Sequence, residues 1–247
     1  MQARRLLARQ GIVWVVAGYR LFRANPPLLT MLTFLYLMVF TVMLVLPAGI
    51  GGVLFPVLQP LLVFAIANGC RGIATAGRLV PLPYVLTGIR TRGRELVKLG
   101  SLQLIGSLLV MLILLVFDVK PDPEKPDDLL QAMALAVALS SPLLLAFWFA
   151  PLLTGWHDVP PVKSAFFSFV ACLRNWRAFA VYGLTLAAAS FLSALLAVFA
   201  MQSFGGVGQI VAKAIEILMV IVMLPIFLAG TYVSYRDIFA MPAAPDD

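Results

Sequence analysis

Arg20-Leu21-Phe22-Arg23-Ala24-Asn25-Pro26-Pro27 runs directly into residues 28–46, LLTMLTFLYLMVFTVMLVL, a stretch without a single charge. An α-helix of about 20 apolar residues crosses the hydrocarbon core of a bilayer, so the second part reads as a membrane span. The first part supplies its border. Two arginines suit the headgroup layer, Asn25 suits a helix N-cap, and proline at the first helical position restarts the chain as a spanning helix.

Five further apolar runs of this kind follow, at 49–70, 97–117, 129–153, 178–203 and 210–235. With 62% hydrophobic and 12% charged residues, the chain has too little polar surface to clothe a soluble fold of its length. No stretch outside the runs is long enough for a separate soluble domain. The expected fold is therefore all-α: a polytopic transmembrane bundle of six spans, one integral membrane domain over residues 1–247.

Charge fixes an orientation. With the N-terminus inside, the inner segments hold Arg4, Arg5, Arg9, Arg20 and Arg23, then Arg71, Arg78, Arg90, Arg92, Arg94 and Lys98, then Lys163, Arg174 and Arg177, and finally Arg236; only Lys120 and Lys125 fall in an outer loop. Cations near helix ends are retained on the cytoplasmic side. Both termini are expected in the cytoplasm, with an even number of crossings. The basic start, Met1 to Arg9, lacks a small-residue cleavage site and is read as retained, with mitochondrial import as a second reading of its arginines.

Acidic residues gather at 118–128, where three prolines oppose a regular helix and the turn glycine and terminal Glu of a calcium loop are missing. A solvated outer connector is expected there, and no metal site. Cys70 and Cys172 both map to the inner face or its boundary, without Cys-x-x-Cys spacing, and are read as reduced packing residues.

The spans also repeat in pairs. Each even span carries a proline near its inner end (Pro60, Pro151, Pro225), and each odd span is preceded by a basic stretch with apolar residues: Trp14 to Arg23, Tyr84 to Glu95, and Val162 to Arg177. The prolines predict bent spans. In the third stretch Phe166, Phe169, Val170 and Leu173 share a helical face, while Lys163, Arg174 and Arg177 cluster on another; Pro160-Pro161 suits its start. Such a helix lies in the headgroup layer, with its apolar face toward the acyl chains and its cations toward lipid phosphate. The middle stretch, broken by Gly88 and Gly93, is the degraded copy. Arg20, Arg23, Arg90, Arg94, Lys163, Arg174 and Arg177 are thus the candidate contacts to anionic headgroups. Three hairpins inserted alike would be parallel repeats about an axis normal to the membrane; the other reading is that helix ends simply favour proline and arginine.

Charge inside the bilayer is sparse. Lys213 and Glu216, three apart near the outer end of the sixth span, are read as a structural ion pair, with an ion or proton relay as the alternative. The single histidine, in Trp156-His157-Asp158, has no nucleophile or ligand cluster in sequence to work with. Trp156 reads as an interfacial anchor, with His157 and Asp158 solvated beside it. Phosphate-loop, metalloprotease and nucleophile-elbow signatures are missing, which points away from an enzyme and from any cofactor. The net charge of +7 is spread along the inner edge, where anionic lipid accounts for it without nucleic acid.

Gln2-Ala3-Arg4-Arg5 with Gly18-Tyr19-Arg20-Leu21-Phe22, the run from Phe147 to Asp158, Arg174-Asn175-Trp176-Arg177, and the closing Ser234-Tyr235-Arg236-Asp237-Ile238-Phe239 together resemble an uncharacterised family of proteobacterial inner-membrane proteins. The resemblance spans essentially the whole chain. It implies a Gram-negative inner membrane and brings no assigned activity. More remotely, the layout is similar to the membrane region of some bacterial glycerophosphodiester phosphodiesterases, without a counterpart of their catalytic domain.

Two functional expectations follow. The first is a non-enzymatic membrane component that engages anionic phospholipid, or other membrane proteins, through basic cytoplasmic-face helices. The second is a small permease or lipid transporter, which would need a cavity at the bilayer midplane.

Overall fold

The computed structural model describes residues 3–77, 80–117 and 126–239, which hold helices and no strand. In chain order these are α1 (Gln10–Ala24), α2 (Pro26–Val45), a short 3-10 turn (Pro47–Gly49), α3 (Ile50–Ala76), α4 (Leu82–Val85), α5 (Ile89–Val116), α6 (Pro126–Trp148), α7 (Ala150–His157), α8 (Pro161–Arg174) and α9 (Trp176–Phe239). Arg78 and residues 118–125, which include Lys120 and Lys125, lie outside the described residues.

Five helical stretches are long and apolar enough to cross a membrane, with mean hydropathy between 2.0 and 2.4. The sequence reading expects six. The difference lies in α9, whose 64 residues would extend about 96 Å if straight, three times the hydrocarbon core. It is not straight. Gly205 leaves the helical region at φ 53° and ψ −128°, and the residues on either side pair in antiparallel fashion. Tyr182 donates its hydroxyl hydrogen to the Phe227 carbonyl at 3.0 Å, and Gly208 lies against the Ala200 backbone. α9 is thus a hairpin of two membrane-length arms.

The surface is inverted relative to a soluble protein. Val45, Val116 and Ile210 are each more than 70% exposed, whereas Asn68, Thr154, Ser164, Ser168 and Asn175 are buried. An apolar exterior of this extent is stable only against lipid, and the chain is an integral membrane protein.

Two further expectations are corrected. The middle basic stretch is not an interfacial helix of its own: α4 has four residues, and Arg90, Arg92 and Arg94 already belong to α5, the helix that goes on into the span. The acidic connector ends earlier than its prolines suggest, since Pro126 opens α6. Proline at a helix start gives up only an N–H that would lack a partner there anyway.

Contacts divide the chain into two compact units. The first comprises Met1–Leu37, Ala65–Thr87 and Arg174–Asp247. Here α1 packs against both arms of α9. Gly11 meets the backbone of Ala178 and Tyr182, and Gly18 meets Ile226 and Gly230; a methyl group at either site would collide with backbone. Trp14, fully buried, stacks near Phe179 and Tyr182 with centroids 5.1 Å and 6.2 Å away. One face of α1 is therefore buried in protein. Asn68 donates from its amide nitrogen to the carbonyls of Val85 at 3.0 Å and Thr87 at 2.9 Å, which fixes the turn after α4.

The second unit comprises Met38–Phe64 and Gly88–Leu173. Gly100 of α5 lies against the Val57 backbone, and Gly155 of α7 against the Phe64 ring. Close approach at small residues drives helix association in lipid, where the hydrophobic effect between helices is lost. Gln59 and Gln103 join α3 to α5 through their side-chain amides.

Of the three prolines expected to bend even spans, only Pro151 accompanies an interruption, at Phe149 between α6 and α7; Pro60 and Pro225 sit inside continuous helices. The reason is Ser168 of α8. Its hydroxyl accepts the Phe149 N–H at 2.9 Å and donates to the Leu145 carbonyl at 2.7 Å, entering the bond that Phe149 would otherwise make to Leu145.

Candidate functional site

Arg20, Arg23, Arg90, Arg94, Lys163, Arg174 and Arg177 are all exposed, and among the described residues none is held in an ion pair. Other cations are neutralised locally. Arg92 pairs with Asp158, Lys98 with Glu95 at 2.6 Å, and Arg236 with Asp237 at 3.0 Å. The unpaired set is therefore available to an external anion. Arg177 also lies over the Trp176 ring, 5.5 Å from its centroid, and Trp176 is 59% exposed. A cation stacked on an exposed indole suits the headgroup layer, which accommodates the apolar ring and the charge together.

α8 presents two chemically distinct faces. Its inward side is small and polar: Ser164, Ala165, Ser168, Ala171 and Cys172 are buried. The Thr154 hydroxyl donates to Ser164 Oγ at 2.8 Å, and Ser164 in turn donates to the Val159 carbonyl at 3.1 Å. Phe166 and Leu173 of the expected acyl-facing set are exposed at 61% and 46%, and Phe169 and Val170 are half-buried. Sequence periodicity identifies the outward aromatic face. It misses the inward one, because serines at 164 and 168 carry no hydrophobic signal.

Cys172 lies on that inward face beside Ser168. Burial pushes its thiol up to about 12, against a smaller downward pull from the Ser168 hydroxyl. The thiol is neutral at physiological pH, as a packing role requires.

Lys213 Nζ and Glu216 Oε2 form an ion pair at 2.7 Å, with side chains 71% and 57% exposed. Neither lines an apolar cavity of the first unit. That cavity, about 490 Å³, is bounded by Leu37, Leu186, Ser190, Met219, Met223 and Phe227 among others, and no ionisable side chain lines it.

His157 and Asp158 are exposed at the end of α7. Asp158 takes a left-handed conformation at φ 58°, its N–H bonds the Leu153 carbonyl, and its carboxylate pairs with Arg92. Among the described residues no three His, Cys, Asp or Glu side chains group to hold a metal.

Asn175 is the residue that the sequence reading passes over. It is 2% exposed, between the cations Arg174 and Arg177, and its side chain bonds the N-terminal segment. A polar, uncharged residue within a basic stretch at a helix junction is the available signal.

A protein of Burkholderia thailandensis described as a probable inner membrane protein is 33% identical over 268 residues, covering 99% of this chain and 97% of its own length. No protein-family profile matches the chain, and no solved structure does.

Proposed function

The chain belongs to the family of that probable inner membrane protein, and from this premise we propose that it is a non-enzymatic component of the bacterial inner membrane that engages anionic phospholipid headgroups through its basic edge. Both termini are assigned to the cytoplasm. The observation that carries the reading is the set of seven exposed cations without local counter-ions, beside others that are paired. A cation left unpaired at the cytoplasmic surface attracts anionic lipid by about 1 kcal/mol. Partner proteins reading the same surface are a further part of the proposal.

The test is photocrosslinking to anionic lipid in native membranes. R174Q/R177Q should crosslink several-fold less than the wild type, and unchanged crosslinking would refute the headgroup role.

A lipid transporter is the second reading, favoured by the 490 Å³ cavity in the α9 hairpin. Its lining suits a hydrocarbon chain and not an ion or polar solute. Reconstituted protein that accelerates transbilayer movement of a labelled phospholipid would favour this reading over the first.

A further inference from the structure

Asn175 stitches three segments of the first unit together. Its Oδ1 accepts the Leu6 N–H at 2.8 Å, its Nδ2 donates to the Arg4 carbonyl at 2.9 Å, and the Arg4 N–H donates to the Ile238 carbonyl at 2.9 Å. Its own backbone carbonyl accepts the N–H groups of Ala178 and Phe179, which starts α9. An Asn in that position ordinarily turns its side chain back to cap the helix. Here the side chain also holds a strap formed by residues 4–6.

Strong positive charge gathers as a result. Arg4 and Arg5 lie on the strap, Arg174 and Arg177 flank Asn175, and all four are exposed with no ion pair among the described residues. The start of α9 adds the positive end of a helix dipole. Asp237, whose neighbour Ile238 holds the strap, is engaged by Gln10 at 2.8 Å, Trp14 at 3.1 Å and Arg236 at 3.0 Å. Apolar groups adjoin the cluster: Trp176 is 59% and Leu7 is 65% exposed. Guanidinium forks match phosphate oxygens in bidentate fashion. Four of them, on two segments that the Asn175 side chain ties together, suit two phosphates held close together.

We propose that Arg4, Arg5, Arg174 and Arg177, gathered by Asn175, form a binding site for the headgroup of a lipid that carries two phosphates. This site rests on the reading of the basic edge as a surface for anionic lipid, and it names a place and a ligand class within it. The exposed Trp176 and Leu7 favour a lipid over a soluble diphosphate, because they offer contact to acyl chains beside the charge.

The experiment titrates the purified full-length protein in detergent with fluorescent diphosphatidylglycerol, phosphatidylglycerol and phosphatidylcholine. The site requires diphosphatidylglycerol to bind at least about tenfold more tightly than phosphatidylglycerol, and R4Q/R5Q and R174Q/R177Q each to weaken it by about tenfold, the effect of losing one charged hydrogen bond. K98Q, in the other unit and at a lysine already paired with Glu95, should change it less than about twofold. Equal binding of the two anionic lipids, or wild-type binding by both strap-region variants, overturns the site even where anionic lipids still outcompete phosphatidylcholine. Loss of any preference over phosphatidylcholine overturns the broader reading as well. Full displacement by an equal concentration of inorganic diphosphate would assign the cluster to a soluble ligand and also refute the proposal.

Discussion

Ser168 shows how a single hydroxyl shapes the second unit. Its removal leaves the buried Phe149 N–H and Leu145 carbonyl to find each other across an interrupted helix, and an unsatisfied buried group costs about 1–3 kcal/mol. S168A should lower the free energy of unfolding in detergent by that amount. S101A, at an exposed serine bonded within its own helix to Val97, should change stability by less than about 0.5 kcal/mol. Cys172 gives a pH prediction. Its thiol ionises near its ordinary 9.0 in the unfolded chain and near 12 in the folded one. Between these values the unfolded form releases a proton that the folded form keeps, so stability falls as pH rises through this window. A maleimide should leave Cys172 unlabelled at pH 8 until the protein is denatured, and C172A should reduce the loss of stability between pH 8 and pH 10.5. Single residues differ in how far the sequence reveals them. Asn25 is legible as a cap because its partner, the Leu28 N–H at 3.2 Å, is three residues away. The partners of Ser168 lie 19 and 23 residues away, and those of Asn175 at 169 and 171; only tertiary packing brings them together.

At the scale of elements, apolar length identifies the two spans of α9 but not the joint between them. Gly205-Gly206-Val207-Gly208 reads in sequence as a flexible, tight connection in an outer turn, and helical structure reaches both sides of the single non-helical residue, Gly205. A side chain at Gly205 would meet nothing within 4 Å, so its constraint is purely conformational, φ 53°. G205A should therefore destabilise the hairpin by about 1–3 kcal/mol. G206A, equally unobstructed and without a positive φ, serves as the control in the same thermal unfolding measurement. The prolines teach a complementary lesson. Pro60, Pro151 and Pro225 look alike in sequence, yet only the helix offered an outside hydroxyl is interrupted. Proline removes one backbone donor wherever it sits, and its neighbours decide whether the helix opens. α1 also carries information that composition hides. Its arginines announce an interfacial helix, while Gly11 and Gly18 quietly allow it to be buried against α9.

For the molecule as a whole, the membrane class follows from composition alone, because no rearrangement of 62% hydrophobic residues yields a soluble surface. Orientation rests on charge. Reporter fusions after Arg94 and after Phe117, at opposite ends of α5, should report the cytoplasm and the periplasm respectively; the same compartment for both would refute six crossings. The apolar stretches are legible one by one because each meets the bilayer on its own, although five membrane-length helices stand where the sequence reading expects six; the division into two units depends on contacts between distant segments and leaves little trace in local pattern. One such contact governs the order of biogenesis. α1 and the strap before it leave the ribosome well before the groups that satisfy them, on Asn175, Asp237 and Ile238, are made. Closure of the first unit therefore waits until both arms of α9 have been made and joins segments far apart in the chain. Until then Trp14 lacks the Phe179 and Tyr182 rings that bury it.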